Sequence, residues 1–145
     1  MEKRKVSSIE EIEYQLTTFI RRAVFMDQSE KKIGLLERAS YLLLRHLKET
    51  GPDQIKGMAE SFHLDISTVS RQVAALEKKA FIERYGSPDD GRVSLFKMTS
   101  LGKETLEKDQ KMRLRRYERI TAAWTDEEKT IFADLISRMN LAFFE

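Results

Sequence analysis

A mainly α-helical chain with one small β-hairpin is the fold class that three observations predict. Apolar residues recur at alternating steps of three and four near both ends of the 145-residue chain, the spacing of a helix seam. Two strand-like runs, Phe81 to Tyr85 and Arg92 to Met98, flank the turn-forming stretch Gly86-Ser87-Pro88-Asp89-Asp90-Gly91. That pattern is a hairpin with a long tip. Capping residues stand where the helices between and beyond must begin.

Each element follows in order. Ile9, Ile12, Leu16, Phe19, Ala23 and Met26 form the seam of a long first helix, widened by Ile20 and Val24. So much apolar surface outside a small domain calls for a partner helix. Gly34 separates it from a second helix, Leu36 to Glu49, with Ala39, Leu42, Leu43 and Leu47 inward; Thr50-Gly51-Pro52 ends it. Two shorter helices, Gln54 to Ser61 and Ile66 to Lys79, are separated by His63-Leu64-Asp65, and Asp65 is placed to cap the second. After the hairpin, Thr99 caps a fifth helix carrying Leu101, Leu106, Leu114, Tyr117, Ile120 and Trp124, with a polar middle from Glu107 to Lys111. Thr125-Asp126-Glu127-Glu128 fits a capping box. The last helix lines up Phe132, Leu135, Ile136, Met139 and Phe143.

Composition bounds the function. With 41% apolar and 34% charged residues, the chain suits one soluble, helix-rich domain. The absence of cysteine excludes disulfides, thiolate catalysis, Cys-ligated metal sites and thiol redox sensing. The first residues run from Met1-Glu2-Lys3-Arg4-Lys5 straight into acidic positions, unlike a signal peptide, and no apolar run is long enough to span a membrane. The expectation is a cytoplasmic protein with no membrane partner. Lys+Arg 26 against Asp+Glu 24 gives +2, which alone does not announce nucleic acid.

The informative stretch is Ile55 to Arg84. Met58, Ala59, Phe62, Leu64, Val69 and Val73 fall where a helix-turn-helix needs apolar or small groups. Leu64 plugs the turn, and Val69 and Val73 seat the second helix on the first. His63 occupies the turn position that favours positive φ, where His is enriched among non-glycine residues. The steep crossing leaves the outer face of the second helix free. That face reads Ser67, Thr68, Ser70, Arg71 and Gln72, groups able to meet phosphates or base edges. Arg grips guanine and Gln grips adenine through paired hydrogen bonds. Arg92, across the hairpin tip, suits a narrow minor groove, with Asp90 orienting its guanidinium. Lys56, Lys78 and Arg84 are weaker candidates for phosphate contact, equally readable as solvated surface charges. His46 reads as a core or cleft histidine. The sequence has no Gly-rich phosphate loop, no nucleophile with a base and no metal-ligand spacing, so neither an enzyme, a cofactor nor a metal is expected.

The ordered elements, with Asp65-Ile66-Ser67-Thr68-Val69-Ser70-Arg71-Gln72-Val73-Ala74-Ala75-Leu76-Glu77, Phe81-Ile82-Glu83-Arg84, Asp89-Asp90-Gly91-Arg92-Val93-Ser94-Leu95 and Leu101-Gly102, resemble the MarR family of bacterial regulators along essentially the whole chain. The resemblance implies a winged helix-turn-helix DNA-binding lobe plus a helical dimerisation region. Within a single unit, 1–145, the lobe is 36–98, the helix-turn-helix 55–79, the wing 81–98, and the dimerisation helices 1–35 and 99–145. It further implies a homodimer on a palindromic double-stranded operator, usually repressing, and a cleft for a small-molecule effector. The expected interface residues are Ile9, Ile12, Leu16, Phe19, Tyr117, Trp124, Phe132, Leu135, Ile136, Met139 and Phe143. The alternative is a winged-helix module for protein partners. It calls for apolar anchors on the outer face, where Ser67, Ser70, Arg71 and Gln72 stand instead.

Overall fold

A computed structural model describes residues 5–29, 34–86 and 93–144. Its elements run α1 (Ser8–Gln28), α2 (Arg38–Thr50), α3 (Ile55–Phe62), α4 (Ile66–Lys78), β1 (Ile82–Gly86), β2 (Ser94–Met98), α5 (Ser100–Ile120) and α6 (Asp126–Ala142). The predicted fold class therefore stands: helices with a single antiparallel hairpin, in which Ile82 pairs with Met98 and Gly86 with Ser94. An isolated antiparallel bridge between Asp53 and Phe96 sets a third chain segment against β2. Several caps form as expected. Asp65 accepts from the Thr68 N–H, Thr99 from the Gly102 N–H, and Thr125 and Glu128 complete a capping box.

One core organises the middle of the chain. Leu43, Leu44 and Leu47 of α2 meet Met58 and Ala59 of α3, Val69, Val73 and Leu76 of α4, Ile82 and Phe96 of the hairpin, and Leu106 of α5. The first two turns of α5 thus belong to the lobe's core. Gly102 makes that seating tight: a Cβ there would collide with the Phe81 carbonyl oxygen. Just beyond the end of α4, Ala80 takes a left-handed φ of 62° while the Phe81 N–H reaches back to the Leu76 carbonyl, a glycine's task carried out by alanine.

Three placements differ from the sequence expectation. Leu42 points outward, half exposed, while Tyr41 and Leu44 turn in. Leu64 remains 42% exposed and does not plug the turn; its N–H instead closes the end of α3 on the Ala59 carbonyl. Trp124 lies beyond the end of α5, in the turn before α6, with its ring edge-on to Phe132 at 5.3 Å. Within the polar middle of α5, Glu107, Lys108 and Lys111 are exposed, while Asp109 is fully buried.

Candidate nucleic-acid interface

The interface is built from the turn outward. His63 adopts the left-handed conformation, φ 54° and ψ 44°, and so ends α3. Two residues later Asp65 begins α4. Its carboxylate accepts the Thr68 N–H at 3.1 Å, the Thr68 hydroxyl at 2.6 Å and the Ser67 hydroxyl. These donors, the Ser67 hydroxyl first, then the Thr68 hydroxyl and N–H, hold the Asp65 carboxyl well below the usual carboxylate range. The positive end of the α4 dipole is therefore already met by a side chain of the same chain. Both hydroxyls at the helix start are engaged with it.

Burial separates the two faces of α4. Val69, Val73 and Leu76 are fully enclosed against α3 and the hairpin. Ser67, Ser70 and Arg71 are exposed on the opposite side, while Thr68 and Gln72 sit half-buried along its edge. The Arg71 Nη2 reaches the Thr68 Oγ1 at 3.4 Å. A chain of contacts thus runs from Asp65 through Thr68 to Arg71, the longest cation on the face. Ala74 and Lys78 continue the exposed stripe by one and two turns. The sequence reading passed over Ala74, although it lies three and four residues beyond Arg71 and Ser70, the spacing of one helix face. A small apolar group there suits a thymine methyl.

The flanking candidates divide. Lys56 stands exposed in the first turn of α3. Arg84 on β1 is drawn back onto the lobe, 3.4 Å from Glu77 and with its guanidinium 5.1 Å from the Phe96 ring centre. Arg92 and Asp90 lie outside the described residues. His46 is indeed a partly buried histidine, its Nε2 2.8 Å from Asp53 Oδ2 and its ring edge-on to Phe62. Among the described residues no group of acidic, histidine or cysteine side chains is placed to hold a metal. No helix among them is long and apolar enough to cross a membrane.

The expected interface residues are open to solvent in a single chain. α1 and α6 bury none of their residues. Ile9, Ile12, Phe19, Tyr117, Trp124, Phe132, Leu135, Met139 and Phe143 are all exposed, and Leu16 and Ile136 are half-buried.

Comparisons with known proteins agree with this architecture. Residues 36–94 match the family model described as MarR family. The uncharacterized HTH-type transcriptional regulator YxaD of Bacillus subtilis (strain 168) is 60% identical over 137 residues, 94% of this chain and 96% of the relative. Among solved structures, the PcaV transcriptional regulator from Streptomyces coelicolor, in complex with its natural ligand, superposes with a TM-score of 0.73 at 21% identity, over 95% of this chain and 98% of PcaV. The YusO protein from Bacillus subtilis gives 0.69 at 23% identity, over 94% and 99%. These two likenesses concern the fold.

Proposed function

The chain belongs to the MarR family of DNA-binding transcriptional regulators, and on that premise we propose that it represses transcription by binding a palindromic operator as a homodimer in the cytoplasm. The observation that carries this reading is the split of α4. One face is locked into the lobe's core, and the other leaves Ser70 and Arg71 exposed. In a two-fold dimer two such helices enter successive major grooves about 34 Å apart. Arg71 supplies the base contact, Ser67, Thr68, Gln72 and Lys56 the surrounding polar contacts, and Arg92, oriented by Asp90, the minor-groove contact.

The uncovered apolar faces of α1 and α6 support the dimer, since contiguous exposed apolar surface marks an interface. The fifth-helix stretch 99–124 has seven basic residues against four acidic, and 125–145 has two against five, a complementarity that favours pairing these segments across two copies. A small-molecule effector that prefers one spacing of the two lobes would release the DNA. The existence of a ligand complex of PcaV supports that part of the proposal. No catalytic role or cofactor is assigned.

Titrating the protein against its own upstream DNA at 50 and 200 mM salt tests the reading. The expected result is a tight complex whose affinity falls by about 10³-fold or more between the two, as six or more phosphate contacts demand. Binding no tighter than to random DNA would refute it.

A further inference from the structure

A second carboxylate that accepts three hydrogen bonds lies on α5. Asp109, in the middle of α5, is fully buried. Its Oδ1 accepts the backbone N–H groups of Leu35 and, at 3.0 Å, Leu36. Its Oδ2 takes the Arg113 Nε at 2.7 Å, one helical turn on. Arg113 in turn donates through Nη2 to the Leu36 carbonyl at 3.0 Å, and its guanidinium lies 4.1 Å from the Tyr41 ring centre. Gly34 makes room, because a Cβ there would collide with the Asp109 carboxylate. One carboxylate and one guanidinium therefore grip both the N–H and the C=O sides of the segment that precedes α2.

That segment lies between α1 and the lobe. α1 buries no residue in this chain, so packing within the chain does little to orient it. Among the described residues that follow α1, 35 and 36 are held by this grip, and Asp27 of α1 makes an ion pair with Arg38 of α2 at 2.5 Å. The ion pair is exposed and weakly constraining. The buried pair on α5 is not.

We propose that Asp109 and Arg113 are positioning residues for DNA binding, setting the angle at which α1 leaves the lobe and thereby the separation of the two recognition helices. The proposal rests on the dimeric operator-binding reading above. Leverage makes the angle matter. A helix of 21 residues is about 32 Å long at 1.5 Å per residue, so a tilt of about 10° at its base moves its far end by about 5 Å. That exceeds the 3.4 Å rise of one base pair along a strand. A small loosening at Asp109 would therefore put two α4 helices out of register with their half-sites.

The test uses the full chain, whose lack of cysteine lets spin labels be placed at Gln15→Cys on α1 and Glu60→Cys on α3. Doubly labelled chain is mixed with an excess of unlabelled chain, and the distance within one chain is read by pulsed electron spin resonance. Asp109→Asn keeps an acceptor for the two N–H groups but loses the guanidinium. Arg113→Lys keeps the charge over Tyr41 but cannot fork between Asp109 and the Leu36 carbonyl. In both, the distribution is expected to shift or broaden by about 5 Å, with operator affinity reduced about tenfold and helix content unchanged. If Asp109→Asn does not fold, Arg113→Lys decides. An unchanged distance distribution, or an unchanged operator affinity beside a changed distance, would overturn the proposal. A parent protein that ignores its upstream DNA would instead overturn the operator reading, while the distance still reports whether the pair directs α1.

Discussion

Leu44 on α2 and Phe132 on α6 are large apolar side chains on amphipathic helices, yet their surroundings differ completely. Leu44 is fully enclosed by α3, α4, the hairpin and α5, whereas Phe132 is 49% exposed. The same contrast holds for whole elements. α2, α3 and α4 each bury residues in the common core, while α1 and α6 bury none. The lobe obtains its stability from its own chain and can present a rigid face. The terminal helices carry apolar surface that their own chain does not cover, and the dimer proposed here would cover it.

The contrast can be broken at either end. Leu44→Ala removes side-chain volume from a site without solvent and should lower unfolding stability by about 2–5 kcal/mol. Because that cost arises inside one chain, chemical denaturation should report it at every protein concentration. Phe132→Asp acts on the open surface. It should turn dimers into monomers by sedimentation and weaken operator binding on the order of a hundredfold, since each half-site then binds without its partner. The lobe itself should stay folded, visible as retained helical circular dichroism; loss of the lobe's structure would show that α6 is part of its core.

Two further changes sharpen what the lobe does with its rigid face. Arg71→Ala should leave thermal unfolding unaltered and weaken the specific complex by about 1–3 kcal/mol, the worth of a forked base contact. A competition series should show the lost discrimination concentrated at one base pair of each half-site. A smaller effect is expected at Asp65, whose carboxyl is held below its ordinary value of 3.8 by the Ser67 and Thr68 donors. A depressed carboxyl stabilises the fold at pH above that ordinary value and loses the contribution as pH falls through the depressed one. The melting-temperature difference between the parent and Asp65→Ala should therefore be constant near neutrality and shrink as the pH drops below 3.8. A difference independent of pH would mean that the charge of Asp65 has no part in the cap.

Much of this molecule can be read in its sequence wherever the cause is local. Asp65, Thr99 and Thr125 stand one residue before their helices and cap them. His63 was expected at a positive φ from its place in the turn, and it has one. The reading failed where a local pattern is degenerate. Tyr41-Leu42-Leu43-Leu44 is a continuous apolar run, and periodicity alone cannot say which members face in; tertiary packing turned Leu42 out and Leu44 in. A remote partner leaves no local pattern at all. Asp109 sits in a polar run that looks solvated, and its burial is intelligible only once the N–H groups of residues 35 and 36, more than 70 positions away, come to meet it. On α4 the division of the faces was legible from spacing. The engagement of the Ser67 and Thr68 hydroxyls by Asp65 was not, because those groups could equally have turned outward. Net charge was a poor guide throughout. The span 53–98 has seven basic and seven acidic residues, so its recognition of DNA must come from the placement of side chains such as Arg71 and not from a basic field.

The central claim, that two copies present two α4 helices to one operator, is tested most directly by hydroxyl-radical footprinting on the upstream DNA. The account predicts two protected patches on one face of the duplex, centred about one helical turn, 10–10.5 base pairs, apart and related by two-fold symmetry. A single protected patch, or uniform weak protection along the fragment, would contradict it.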